Sequence, residues 1–190
     1  MTKKVLLALA CLVLTCCMLC ACSTAPEQTV LDQFSAQVKD AKSITAIILV
    51  KDANGMEVSG GTVVIDFASK QRTVTLKIPN TEFTADGNAW KTENSTTAFD
   101  TNTVTFGWQV KDFSSLTYDA QSGCCKGVID ADVAKQIGLA DIVDSMQGDV
   151  SVKLLVTGNV EDNIMVNSVE LSYVSSTNNT VTITLTTQAN

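Results

Sequence analysis

Histidine is absent from this 190-residue sequence. That removes the usual general base, the His-bearing catalytic triads and the commonest transition-metal ligand. Basic residues are scarce, with 13 Lys and Arg against 20 Asp and Glu and no Lys/Arg cluster, so the electrostatic footprint of a nucleic-acid-binding protein is missing. Proline occurs twice and aromatic residues make up only 5%. Two catalytic schemes survive the lack of histidine, and neither finds support. Ser69 and Lys70 are direct neighbours, without the two intervening residues that a Ser-x-x-Lys helix turn needs. The carboxylates scatter over turns and helix starts. Asp130, Asp132, Asp141 and Asp144 lack the glycine and terminal glutamate of a calcium loop, and helix capping accounts for the first two. Gly60-Gly61 lies between strand residues and makes no phosphate loop. No catalytic residue, metal or cofactor is expected, and the chain reads as a non-enzyme.

What the sequence does have is cysteine, seven in all, five of them between Cys11 and Cys22. They follow two lysines, Lys3 and Lys4, and sit within and just after an apolar run from Val5 to about Leu19. A short charged region, an apolar region and a small-residue exit describe a secretory signal peptide. The run is marginal as a membrane span, for which about 20 apolar residues are needed; an uncleaved anchor is the alternative. Leu19-Cys20-Ala21-Cys22 resembles the bacterial lipobox. That resemblance implies acylation of the Cys22 sulfur and cleavage after Ala21. The expected organisation is a signal peptide over 1–21, a lipidated tether over 22–28 and one domain over 29–190. The expected location is the extracytoplasmic face of a cell membrane, with the membrane itself as a partner. Removing the leader leaves Cys124 and Cys125 as the only other thiols. Adjacent residues of a strand point to opposite faces, which predicts one buried and one near-surface cysteine; a disulfide to another chain or a redox switch is the alternative.

Beyond the tether, Val30, Phe34, Val38 and Ala41 form one stripe, predicting an amphipathic helix over 29–41. The period then changes to two. Ser43 to Lys51 is a strand followed by the hairpin signal Asn54-Gly55. Val63, Ile65 and Phe67 share a face, as do Val74, Leu76 and Ile78, with a turn at Ser69 to Gln71. Asp86-Gly87-Asn88 marks another turn, and Thr103 to Lys111 reads as a strand with Val104, Phe106, Trp108 and Val110 on one side. Asn94 to Asn102 reads as a polar loop. Asp130 to Gln147 carries a helical pattern with Val133, Ile137, Ile142, Val143 and Met146, divided at Gly138. Alternation returns in Val150, Val152, Leu154 and Val156, in Val169, Leu171 and Tyr173, and in Val181, Ile183 and Leu185.

A helix, several antiparallel strands, a helical insertion and three closing strands predict an α+β domain: a curved antiparallel β-sheet, or half-barrel, with two helical segments covering its concave face. In this order, and locally in Gly127 to Lys135, Asp149 to Thr157, Asn167 to Tyr173 and Thr180 to Thr186, the chain resembles the LolA/LolB-like and LppX/LprG-like half-barrel lipoproteins. The resemblance implies an apolar cavity that receives a lipid or other amphiphile, and no catalytic residues. The candidate lining residues are Val63, Ile65, Phe67, Leu76, Phe106, Trp108, Leu154, Leu171, Tyr173 and Ile183. The alternative is a surface module with a filled core that binds a protein through its Thr-rich strand faces or the 94–102 segment.

Overall fold

The computed structural model of the protein describes residues 25–79, 90–101, 106–135, 146–158 and 164–189. The leader, Cys22, the turn at 86–88 and the helical pattern over 136–145 lie outside these residues.

Helix α1 spans Pro26–Lys39. Proline at the first helical position loses no hydrogen bond there, Glu27 complements the positive end of the dipole, and Lys39 complements the negative end. Val30, Leu31, Phe34 and Val38 form its buried side. The predicted helix ran two residues further; Ala41 instead opens the first strand and buries its methyl group from there. Leu31, fully buried, belongs to the same stripe at spacings of three and seven from Phe34 and Val38.

Among the described residues nine antiparallel strands follow: β1 (Ala41–Lys51), β2 (Glu57–Asp66), β3 (Gln71–Pro79), β4 (Trp90–Ala98), β5 (Phe113–Asp119), β6 (Cys124–Asp130), β7 (Asp149–Thr157), β8 (Met165–Val174) and β9 (Thr180–Ala189). Their order across one open sheet is β4-β3-β2-β1-β9-β8-β7-β6-β5. Two meanders therefore meet where the first strand pairs with the last, Ala46 opposite Leu185 and Ile48 opposite Ile183. The β1–β2 turn follows its sequence signal: Gly55 takes φ +80° and Asp52 Oδ1 accepts from the N–H groups of Asn54 and Met56. A short helix, α2 (Ala131–Ala134), begins where the Asp130 side chain accepts from Asp132 N–H at 2.8 Å.

Two expectations fail here. Residues 94–98, read as part of a polar loop, belong to β4, which pairs with β3 from Gln71 opposite Ala98 to Pro79 opposite Trp90. An edge strand exposed on both sides has no apolar face to alternate, so its sequence carries no period-two signal. Conversely, 106–112 is not a strand. Residues 106–109 join no ladder, with Gln109 extended, and Val110–Asp112 forms one 3-10 turn. This segment carries the chain from edge strand β4 to edge strand β5, across the inner face of the sheet. Its backbone groups are met by side chains of α1: Ser35 Oγ donates to the Phe106 carbonyl, and Gln28 Oε1 accepts from Val110 N–H at 3.0 Å.

The core lies between this inner face, α1 and the crossing segment. Phe34 and Phe106 meet edge-to-face at 4.5 Å, Phe106 and Trp108 lie 4.4 Å apart at a tilt, and Trp108 meets Phe113 edge-on at 5.7 Å. Trp108 Nε1 reaches the Val133 carbonyl at 3.4 Å, tying the crossing segment to α2. Gly127 is required on β6: a Cβ there would overlap the Ser115 carbonyl and come within 2.7 Å of Leu116 Cδ1 and 2.9 Å of Phe113 Cδ1.

Candidate ligand-binding face

On the inner face, cross-strand neighbours form apolar rows. One runs from Val74 through Val63, Ala46, Leu185, Val169 and Leu154 to Cys125. Another joins Leu76, Gly61, Ile48, Ile183, Leu171 and Val152. The predicted lining residues that lie on strands therefore do share one face, as the alternation requires.

They do not share one environment. Over β6 to β9, Leu154, Leu171, Ile183 and Tyr173 are buried beneath α1 and the ring cluster, and Phe106 and Trp108 are themselves part of that cover. Val63 and Ile65 on β2 are equally buried. Phe67, just past the end of β2, is half-buried, and Leu76 on β3 is 42% exposed although its row is continuous with fully buried Leu171. Cover stays complete through Ala46, Val63 and Ile65 and thins beyond them, at β3 and along the Ile48 to Val50 end of β1. Ile48 and Val50 of β1, Val74 of β3 and Phe99 pack on the core while staying partly accessible. Sequence reasoning left these four out of the lining set. The alternation of Ile44, Ala46, Ile48 and Val50 carried the signal for two of them, whereas Phe99 sits in a polar stretch that gave none.

Burial also corrects the cysteine expectation. Cys125 faces the core and Cys124 the other side, yet both are buried and both are free thiols. Opposite faces keep the sulfurs from bonding, as predicted; the near-surface position does not materialise. Burial pushes the Cys125 thiol up to about 12, helped by the nearby Glu27 carboxylate. Such a thiol is neutral and unreactive at physiological pH.

The outer face is polar and rich in threonine, with Thr45, Thr186, Thr62, Thr184, Thr73 and Thr96 on neighbouring strands. A hollow of about 290 Å³ opens on it where Gly60 lacks a side chain, edged by Ile47, Leu49, Thr75, Glu57 and Lys77. A second, of about 230 Å³, lies beside α1 at Gln37, Asp40, Met165 and Ala189. None of the predicted lining residues borders either hollow. Among the described residues no group of His, Cys, Asp or Glu side chains is placed to hold a metal ion. Two exposed carboxyls are lowered by local turns. Asp66 accepts from Ser69 N–H at 2.7 Å, and Asp119 accepts from the Ser122 hydroxyl at 2.7 Å and from Gln121 N–H.

No protein-family model matches the chain, and no curated protein matches it. Among solved structures it is similar to LprF from Mycobacterium bovis, with 14% identity, 84% of this chain and 91% of that one covered, and a TM-score of 0.49. It is also similar to the lipoprotein LppX of Mycobacterium tuberculosis, with 10% identity, 86% and 94% coverage and a TM-score of 0.44.

Proposed function

We propose that this is a cell-envelope lipoprotein, held to the extracytoplasmic face of a membrane through acylated Cys22, that binds a lipid or other amphiphile on the inner face of β1 to β3. The reading is carried by the gradient of cover along that face. The same apolar rows that are sealed over β7 and β8 continue to Val74 and Leu76, where water reaches them. An acyl chain laid against Ile48, Val50, Val74 and Leu76 removes that surface from water at about 25 cal/mol per Å². The part-covered half is the binding surface, and the ring cluster is the wall behind it. Two acyl chains on Cys22 would hold the domain stably to the bilayer.

The test uses the acylated protein in lipid nanodiscs. Native mass spectrometry reads co-purifying amphiphile, and a fluorescent polyene fatty acid reports uptake. Leu76→Asp and Val74→Asp should each weaken uptake at least about tenfold, because a desolvated carboxylate costs more than the 1.4 kcal/mol a tenfold change represents. Absence of both co-purified amphiphile and probe uptake in the unsubstituted chain overturns the reading. Movement of the bound probe from donor to acceptor vesicles then separates a carrier from a storage site.

A further inference from the structure

We infer that the β5 edge of the sheet rests against the membrane and that Lys126 and Lys153 contact anionic lipid headgroups there. This rests on the acylation of Cys22 in the reading above and goes beyond it. Only Ser23, Thr24 and Ala25 separate Cys22 from the start of α1 at Pro26. Fully extended, those four steps reach about 14 Å. The start of α1 is in turn fixed to the β5 edge: Glu27 Oε1 accepts from Tyr118 N–H at 3.1 Å, and Gln28 Oε1 accepts from Val110 N–H at 3.0 Å. The opposite edge, β4, lies eight strand spacings away, up to about 38 Å along the sheet. The tether cannot reach from there, so the attachment is one-sided.

Charge placement fits the same orientation. One cross-strand row of the outer face runs the full width of the sheet, from Asn94 on β4 to Thr117 on β5. Its lysines are both at the anchored end, where Lys126 on β6 stands directly opposite Lys153 on β7. Like charges directly opposite repel, a cost that an anion between them offsets. Glu170 flanks only the far side of Lys153. Exposed Lys111 adds a third cation in the turn that Gln28 holds. Of the carboxylates near this edge, Glu27 accepts from Tyr118 N–H, Asp112 from Gln109 N–H, and Asp119, which also feels the Lys126 charge, from Gln121 N–H and the Ser122 hydroxyl. Asp130 and Asp149 stand opposite each other where β6 ends and β7 begins, four residues from the two lysines. Strands β5 to β7 fall within about a Debye length of a surface against which β5 rests.

The experiment places a donor dye on the acylated full chain at Thr117→Cys or at Asn94→Cys, both exposed, with acceptor-labelled lipid in the vesicles. Cys124 and Cys125 are buried and take no label. Vesicles are phosphatidylcholine alone, or with phosphatidylglycerol added. Transfer from position 117 should exceed that from 94, with the larger difference in the anionic vesicles. Lys126→Gln with Lys153→Gln should erase the extra difference, each lysine having contributed about fivefold to the docked population. Equal transfer from the two edges, or greater transfer from 94, overturns the orientation. A difference untouched by the lysine substitutions overturns the headgroup contact. Mass analysis of the N-terminal peptide keeps the readings apart. A chain without acylated Cys22 overturns both the anchor and this inference. An acylated chain with equal transfer overturns the inference alone. A chain that keeps the edge difference but holds no amphiphile supports the inference while overturning the ligand.

Discussion

Phe106 decides whether the aromatic cluster is core or ligand lining. It is buried, with Phe34 at 4.5 Å on one side and Trp108 at 4.4 Å on the other. A buried aromatic side chain removes about 150–250 Å² from water, worth about 4–6 kcal/mol at about 25 cal/mol per Å² as an upper bound. Large-to-small substitutions of such residues cost about 3–5 kcal/mol once partial collapse of the cavity is included. Phe106→Ala should therefore cost about 3–5 kcal/mol in urea unfolding of the full chain. Leu76→Ala, at a site 42% exposed, should cost about 1 kcal/mol or less. Because a loss of that size approaches the total stability of many domains, Phe106→Leu provides a milder step of about 1–2 kcal/mol. A double-mutant cycle of Phe34→Leu with Phe106→Leu should return about 0.5–1.5 kcal/mol of coupling for the edge-to-face pair. Fatty-acid uptake should survive Phe106→Leu and fall with Leu76→Asp. If Phe106→Ala costs under about 1 kcal/mol and abolishes uptake, the cluster lines an occupied space and the division of the face into wall and binding surface is wrong.

Gly127→Ala should destabilise by about 1–3 kcal/mol through forced displacement of the β5 backbone at Ser115 and of the Phe113 and Leu116 side chains, read by urea unfolding and by faster amide exchange in β5. Glu27→Ala removes the acceptor for Tyr118 N–H on an edge strand, so exchange of that one amide should accelerate while those of β8 stay protected. Cys125 has a folded-state value raised to about 12 from 9.0, so the stability it contributes is complete below pH 9 and is lost as pH climbs toward 12. Thermal melts across that range should show a decline that Cys125→Val removes. Gln37 both donates to the Val166 carbonyl at 3.1 Å and accepts from Val166 N–H at 2.9 Å, so Gln37→Ala should cost about 1–3 kcal/mol and loosen α1 from β8.

Strands β7, β8 and β9 were legible because one side of each is sealed and the other wet, so burial at every second residue is written directly into Val152, Leu154, Leu171, Ile183 and Leu185. Phe106 and Trp108 were misplaced for a physical reason. A segment can alternate its side chains whether or not its backbone is in a ladder, and here Ser35 and Gln28 take the place of a neighbouring strand. That substitution is a long-range fact that local periodicity does not encode. The face of the candidate site was legible for the strand residues, since parity alone puts Val63, Ile65, Leu76, Leu154, Leu171 and Ile183 together. How each is covered was not, because cover depends on where α1 and the crossing segment lie. Leu76 and Leu171 share one row and one residue type, yet one meets water and the other does not.

The pairing of β1 with β9 has a consequence for how the protein is made. The centre of the sheet stays open until the last ten-residue strand, Thr180–Ala189, becomes available to sit between β1 and β8. Contacts of such sequence separation are slow to form, since the closure entropy of the whole intervening chain precedes any reward from pairing. A chain synthesised N-terminus first therefore holds two unjoined meanders until β9 is available. Truncation within β9 should leave not a slightly smaller sheet but two half-sheets with exposed edges at Ala41–Lys51 and Met165–Val174. Completion of the sheet is thus tied to β9, and a chain lacking that strand would be aggregation-prone rather than partly functional.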